Sequence, residues 1–325
     1  MFVNVLIILS ALAVTLGAAR LTYRAIRAKK LWVKLAGGLG AGLLTLVLAA
    51  LTYAGGSGFL ALYFPGAAPA PALQVAGTPE QIARGEYLAT IACTGCHGQP
   101  GPDGNPAGQP LTGGWDLAAA EGFGFIGQMA TENLTPGGKL AGYTDGEIFR
   151  VLRRGVDQDG HSLAMMSGLP YRELSDADLQ AIVAYLRSLP PAASTGPTGD
   201  ALNFVGLVLV GAGLLPPSPA PLEGVVTAPP AGVSAEYGRY VATFGECRGC
   251  HGPDMTGTAA SAVSPAIPNP RPIVATWTLA EFIQAMRTGV RPSGAAFADL
   301  MPWQNASKMT DDDLAALYIY LTTAP

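Results

Sequence analysis

No feature constrains this chain more tightly than a pentapeptide that occurs twice. Cys93-Thr94-Gly95-Cys96-His97 returns as Cys247-Arg248-Gly249-Cys250-His251, and the two copies use all four cysteines and two of the three histidines. C-x-x-C-H is the attachment signature of a c-type haem. Two thiols spaced this way reach the two vinyl groups of one porphyrin from a single helical turn. The adjacent histidine then lies under the ring as the proximal iron ligand. A structural zinc site needs four ligands from paired motifs, and these two lie far apart in sequence. A thioredoxin-like C-x-x-C has no reason to carry histidine next to it, twice. The expectation is two covalently bound haem c groups. Cys93, Cys96, Cys247 and Cys250 form the thioethers, and His97 and His251 bind iron.

Around these motifs one unit is written twice. Gly85-Glu-Tyr-Leu-Ala-Thr leads to Cys93, and Gly238-Arg-Tyr-Val-Ala-Thr leads to Cys247 with one residue inserted. Tyr143–Val156 matches Trp277–Val290, and Leu174–Pro190 matches Met309–Pro325, both without gaps. Each unit predicts a helix running into C-x-x-C-H. A second helix is N-capped by Thr144 or Thr278 and stopped by Gly155 or Gly289. A last helix opens on Ser175-Asp-Ala-Asp178 or Thr310-Asp-Asp-Asp313, with carboxylates at its positive end. Its apolar stripe (Leu179, Ile182, Val183, Leu186) is core at helical spacing, and Tyr185 and Tyr318 are expected to pack beside the haem. The pattern resembles class I cytochrome c over residues 78–190 and 233–325. The stretch from Asp159 to Pro191 is similar to cytochrome c domains of bacterial membrane electron-transfer chains, including the cytochrome subunits of alcohol and gluconate dehydrogenases. Those subunits usually carry three haem motifs and this chain has two, so the dehydrogenase partner does not carry over.

The resemblance implies a methionine on the loop before the last helix as second axial ligand, which would raise the reduction potential. Met301 lies eight residues before Met309, the repeat position of Leu174, and eight residues before Leu174 stands Met166. Met166 and Met301 are therefore the expected sixth ligands, with Met165 or His161 as alternatives to Met166. Met129, Met255, Met286 and Met309 read as core filler. His161 reads otherwise as a solvated loop residue or a titrating group near a propionate. Arg153 and Arg154 are candidates for propionate neutralisation, a docking face or plain solvated helix charge.

Residues 2–19 and 35–64 are apolar runs long enough to span a bilayer. Six cations lie between them (Arg20, Arg24, Arg27, Lys29, Lys30 and Lys34), and no acid precedes Glu80. The positive-inside rule makes that loop cytoplasmic and sends both outer helix ends to the other side. Attachment of c-type haem takes place on that outer side of a bacterial inner membrane, an independent route to the same topology. A cleaved signal peptide followed by one anchor is the alternative, but it lacks a basic start and a clear small-residue cleavage site. Only 13% of residues are charged and net charge is −4, with mean hydropathy +0.31; this favours membrane contact and does not suggest nucleic acid. The Gly55-Gly56-Ser57-Gly58 patch is expected to end or bend the second helix.

The fold expected is all-α. A two-helix transmembrane anchor (1–64) is followed by an extended linker (65–77), a first cytochrome c domain (78–190), an apolar, Pro-rich connector (191–232) and a second domain (233–325). The connector's apolar run, Leu202 to Leu215, is short for a span. A crossing there would put the second motif on the side where attachment fails, so it reads as packed on the haem domains, the membrane surface or a partner. The function expected is a membrane-anchored dihaem cytochrome on the periplasmic or outer face. It would relay single electrons in a respiratory or photosynthetic complex, with membrane lipid, other subunits and a redox protein donor or acceptor as partners. No acid, base or nucleophile constellation points to catalysis. An alternative is a dihaem peroxidase, which commonly needs a second histidine on one iron; His161 is the spare. A third is an assembly subunit whose haems are incidental.

Overall fold

The computed structural model describes residues 1–102, 105–106, 108–215, 222, 224–260 and 264–323. Part of the expected connector (216–221 and 223) and the end of the second domain (324 and 325) lie outside the described residues.

Two long helices open the chain, α1 (Phe2–Ile26) and α2 (Gly38–Tyr63), the latter entered through a short π-helical turn, Val33–Gly37. Both are long and apolar enough to cross a membrane. Their hydroxyls do not disturb the helices because each bonds the carbonyl one turn back, as Thr15 does to Ala11 and Thr52 to Leu48. Thr15 also meets Thr52 at 3.1 Å and Thr22 meets Thr45 at 3.0 Å. One index rises as the other falls, so the pair is antiparallel. Large apolar side chains such as Leu9, Leu39 and Leu46 point outward and are exposed.

The glycine patch does not end α2. The helix continues to Tyr63, and the glycines instead receive the connector helix α6 (Phe204–Gly211). A Cβ on Gly55 would lie 2.4 Å from the Phe204 ring, and one on Gly58 2.0 Å from the Leu207 carbonyl oxygen. Small residues here let two backbones approach, as in helix packing within membranes. The connector's apolar run thus lies along α2. Asn203 caps it, accepting from the amides of Val205 and Gly206.

The first unit holds α3 (Pro79–Ala92), α4 (Asp145–Arg154) and α5 (Asp176–Ser188); the second holds α7 (Ala235–Phe244), α8 (Leu279–Thr288) and α9 (Asp311–Thr322). Boundaries follow the local chemistry read from sequence. Thr144 with Glu147, and Thr278 with Glu281, form capping boxes, and α4 and α8 end on left-handed Gly155 (φ 61°) and Gly289 (φ 70°). In each unit the first helix crosses the last at a glycine, Gly85 against Ala181 and Gly238 against Ala316. Leu88, Ile91, Ile182 and Val183 are buried beside the first crossing, each contributing about 1.5–3 kcal/mol by leaving water. To this helical plan the described residues add one small antiparallel sheet. Strand β1 (Gly127–Ala130) lies in a stretch of the first unit that the second lacks. It pairs with β2 (Gly199–Leu202) of the connector, Gly127 opposite Leu202.

Arg153 is neither solvated nor turned to a haem group. It is buried, donates to the carbonyls of Arg172 and Leu174, and pairs with Asp176 at 2.5 Å. Its repeat partner Arg287 does the same with Ser307 and Asp311. Both guanidiniums tie the second helix of a unit to the start of its last.

The two units face each other about a pseudo-two-fold axis. Tyr240 donates to Asp178 at 2.6 Å and accepts from the Ser175 amide at 2.9 Å. Tyr87, its repeat partner, donates to Asp313 and accepts from the Thr310 amide at 3.0 Å. Each attachment turn wedges against the loop before the last helix of the other unit. Gly95 meets Asn305 and Gly249 meets Pro170. Lys308 donates to Thr94 at 2.9 Å, and Arg248 pairs with Glu173 at 2.5 Å. Such reciprocal contacts are the mark of an isologous interface.

Candidate haem sites

Helix α3 ends at Cys93, and a single turn, Thr94–His97, carries the first motif. Cys93 is buried and Cys96 half-buried; burial pushes both thiols up to about 12, with the Glu246 carboxyl adding to the effect. They are neutral thiols unless chemistry engages them. His97 Nδ1 lies 2.8 Å from the Glu132 carbonyl oxygen. A carbonyl only accepts, so Nδ1 carries the hydrogen and Nε2 keeps its lone pair. Burial also holds the imidazole's pKa below its usual value, keeping it neutral. The same device recurs in the second unit, where His251 Nδ1 lies 2.8 Å from the Pro268 carbonyl. There burial pushes Cys247 up to about 12 and raises Cys250, which is more exposed. Both histidines are thus set to offer Nε2 to a metal.

The first motif opens on a cavity of about 250 Å³ lined by Cys93, Cys96 and His97, with Met165, Met166 and His161 also on its wall. Met166 packs against the hydrophobic core, as Met301 does in the second unit, whereas Met165 is 40% exposed. His161 stacks edge-on with Tyr63, with Nδ1 3.7 Å from Asp157. Met129, Met255, Met286 and Met309 are all buried. Ile182 and Leu186 line the cavity from α5, while the Tyr185 hydroxyl turns to accept from Gln109 Nε2. Tyr318 likewise donates to the Trp277 carbonyl and packs on Phe282.

The structure adds wall residues that sequence reasoning missed. Leu62 and Tyr63, at the end of α2, line the first cavity, and the Ser162 amide donates to the Leu62 carbonyl at 2.7 Å. The first unit is therefore docked on the helix end. Trp115 also lines the cavity, and its Nε1 is buried with no acceptor. An orphaned donor of this kind costs about 1–3 kcal/mol unless something in the cavity accepts from it. A haem brings such an acceptor in its propionates. The thiol pair, the bare Nε2, the thioethers of methionine and this donor together fit a haem. The first unit's extra stretch, absent from the second in the repeat, was the available signal for Trp115.

A cytochrome c family model matches residues 82–190 and 235–325. The chain belongs to the cytochrome c family. Membership implies covalently bound haem c and a role in electron transfer. Among curated relatives of this cytochrome, the cytochrome c subunit of a quinone alcohol dehydrogenase from Gluconacetobacter polyoxogenes is 34% identical over 96 residues, 26% of this chain and 20% of that protein. The corresponding cytochrome c subunit from Gluconobacter oxydans is 30% identical over 94 residues, 26% of this chain and 20% of that protein. The fructose dehydrogenase cytochrome subunit of Gluconobacter japonicus is 28% identical over 102 residues, 28% of this chain and 21% of that protein. The similarity thus spans about a fifth of each relative's length.

Proposed function

We propose that this cytochrome carries two haems and relays single electrons between them, anchored by α1 and α2 in a bacterial inner membrane with both units on the periplasmic side. The haem iron supplies one reversible electron by cycling between its ferrous and ferric states. Cys93 and Cys96 hold one haem, Cys247 and Cys250 the other. His97 and Met166 bind the first iron, His251 and Met301 the second. The carbonyls of Glu132 and Pro268 fix the histidine tautomers, and Trp115 anchors an acidic edge of the first haem. The observation that carries the relay is the reciprocal packing of the two attachment turns, which brings the units together by their haem-binding ends. The exposed apolar faces of α1 and α2, with six cations clustered at the end of α1 and in the turn before α2, support the anchor and its orientation. The division into anchor (1–64), linker (65–77), first domain (78–190), connector (191–232) and second domain (233–325) goes with this reading. So do its partners: lipid, other subunits of a respiratory or photosynthetic complex, and a protein donor or acceptor. The relatives' dehydrogenase names make a dehydrogenase complex one such setting.

The test is expression in a bacterium competent for c-type haem maturation, then intact mass and a redox titration. Two haem masses per chain are expected, with Met166→Ala and Met301→Ala each removing one sulfur-to-iron absorption band. A single haem mass, or loss of the band in Met165→Ala but not Met166→Ala, would overturn the assignment.

A further inference from the structure

The pseudo-two-fold is broken within the interface. Superposing the attachment motifs pairs Glu246 with Ala92, and superposing the last helices pairs Tyr171 with Ala306. One side of the interface therefore has two methyl groups where the other has a carboxyl and a phenol. The residue inserted before Cys247 accounts for the difference in backbone. Helix α3 runs straight into Cys93, whereas α7 stops at Phe244 and Glu246 turns left-handed, φ 59°. A non-glycine residue adopts that conformation at a cost, and such strain collects at functional positions.

Glu246 belongs to the second unit, yet its side chain lines the cavity of the first, beside Cys93 and Cys96. Its Oε1 is hydrogen-bonded to the Tyr171 hydroxyl, which also lies 2.5 Å from the Ala92 carbonyl oxygen. The phenol has one hydrogen and faces two acceptors. If Tyr171 gives its hydrogen to Glu246, the bond favours the carboxylate; if it gives it to Ala92, the contact with Glu246 is a hydrogen bond when the carboxyl carries a proton and donates to Tyr171. Burial favours the protonated form, raising this carboxyl to about 7 against the opposing pull of the Tyr171 bond. The other titratable groups facing it are Cys93, Cys96, Cys247 and Cys250, which thioether formation removes from titration. Arg248, two residues on, is turned away to Glu173 and Thr243.

We propose that Glu246 is a redox-linked proton site of the first haem, placed there by the second unit. When the first haem gives its electron to a one-electron acceptor, the Glu246 O–H bond breaks and the proton leaves to water; when the electron returns, the carboxylate takes a proton back. One electron and one proton move together, and the site gains no charge on reduction or oxidation. A buried carboxylate beside an oxidised haem is stabilised by that haem's positive charge, and a neutral acid is preferred beside the reduced one. The second haem has alanines at the equivalent positions and lacks the device. The two sites are thereby inequivalent despite nearly equivalent helices, and the first haem alone responds to pH on the outer side. This rests on the reading that both units carry haem.

The experiment is a spectroelectrochemical titration of the full-length holoprotein in detergent from pH 5 to 9, with a haem count on each sample. The wave of the first haem is identified as the one that Met166→His lowers. The expected wild-type result is a first-haem potential that falls with rising pH, approaching a tenfold change in the reduction equilibrium per pH unit, about 59 mV for one electron. The second-haem potential stays flat. Glu246→Gln should abolish the slope and hold the first haem at its acid-side potential, with unchanged haem count. Redox-difference infrared spectra of the wild type should show a protonated-carboxyl C=O band gained on reduction and missing in Glu246→Gln. A flat first-haem profile in the wild type, a slope that survives Glu246→Gln, or equal shifts in both haems would each overturn the proposal. The wild-type profile and infrared spectrum decide the matter even if the variant fails to assemble. A haem count of one would instead strike the two-haem reading.

Discussion

Replacing Gly85 by alanine pits two opposed effects against each other, and the geometry decides between them. Alanine in a helix interior is favoured over glycine by about 1 kcal/mol. The added Cβ, however, would lie 1.9 Å from the Ala181 carbonyl oxygen and 2.8 Å from the Tyr185 Cβ. Carbon and carbonyl oxygen come no closer than about 3.3 Å even in a favourable contact. The shortfall is therefore about 1.4 Å on that figure, and the obstacle is backbone, which no rotamer change can clear. Helix α5 has to move off α3, opening the seam where Leu88, Ile91, Ile182 and Val183 are buried. Overpacking costs about 1–3 kcal/mol, and this case belongs at the upper end. The net loss is about 2 kcal/mol, or roughly 8–16 °C in Tm for a unit of this size. Thermal unfolding of the holoprotein, followed by circular dichroism and haem absorption, measures it. Gly142→Ala is the control, because a Cβ there meets nothing within 4 Å. Gly238→Ala should repeat the loss in the second unit, where the Ala316 oxygen stands 2.0 Å away. A Gly85→Ala protein as stable as wild type or more so would mean that propensity wins and that the crossing is looser than described.

Three further outcomes follow from named contacts. Tyr240→Phe should cost about 1–3 kcal/mol in denaturant titrations, because it leaves the buried Ser175 amide without its acceptor, while Asp178 Oδ2 loses Tyr240 but keeps Arg84; an unchanged midpoint would show that the interface is not held there. Thr144→Ala removes the acceptor for the Glu147 amide and should lower stability by about 1 kcal/mol, read as a Tm loss of about 4–8 °C that adds to the loss from Gly238→Ala in the other unit. In the reduced protein, where the haem core carries no net charge, Glu246 is raised by burial from 4.5 to about 7. Folded chains then bind a proton that unfolded chains have lost, so stability should fall as pH rises through that window. The loss is about 3 kcal/mol at most, and the same denaturant titrations of Glu246→Gln should show no such fall.

Much of the design is written locally and could be read without coordinates. The attachment motifs depend on five consecutive residues. Thr144 with Glu147, and Gly155 at the far end, act within one helical turn of themselves, and the structure has the caps where those residues stand. Exact repetition did the rest: Gly85 and Gly238 recur in register, and each proves to be where two helices cross. Other parts of the sequence were legible only as composition. Gly55-Gly56-Ser57-Gly58 looks like a helix breaker because glycine is a poor helix former, yet the patch is helical once α6 packs onto it. Arg153 looks like a surface charge until the carbonyls of Arg172 and Leu174 close around it.

The sequence by itself determined the cofactor chemistry, the duplication and the helix ends, since each is encoded by residues a few positions apart. Only the tertiary structure decided how the duplicated units meet, that the end of α2 helps wall the first cavity, and that Glu246 crosses from one unit into the other's site. Those outcomes depend on surfaces assembled from segments 60 or more residues apart, such as Tyr171 and Glu246 or Thr94 and Lys308. No periodicity links such segments along the chain; their shapes and hydrogen-bonding groups match only after each unit has folded.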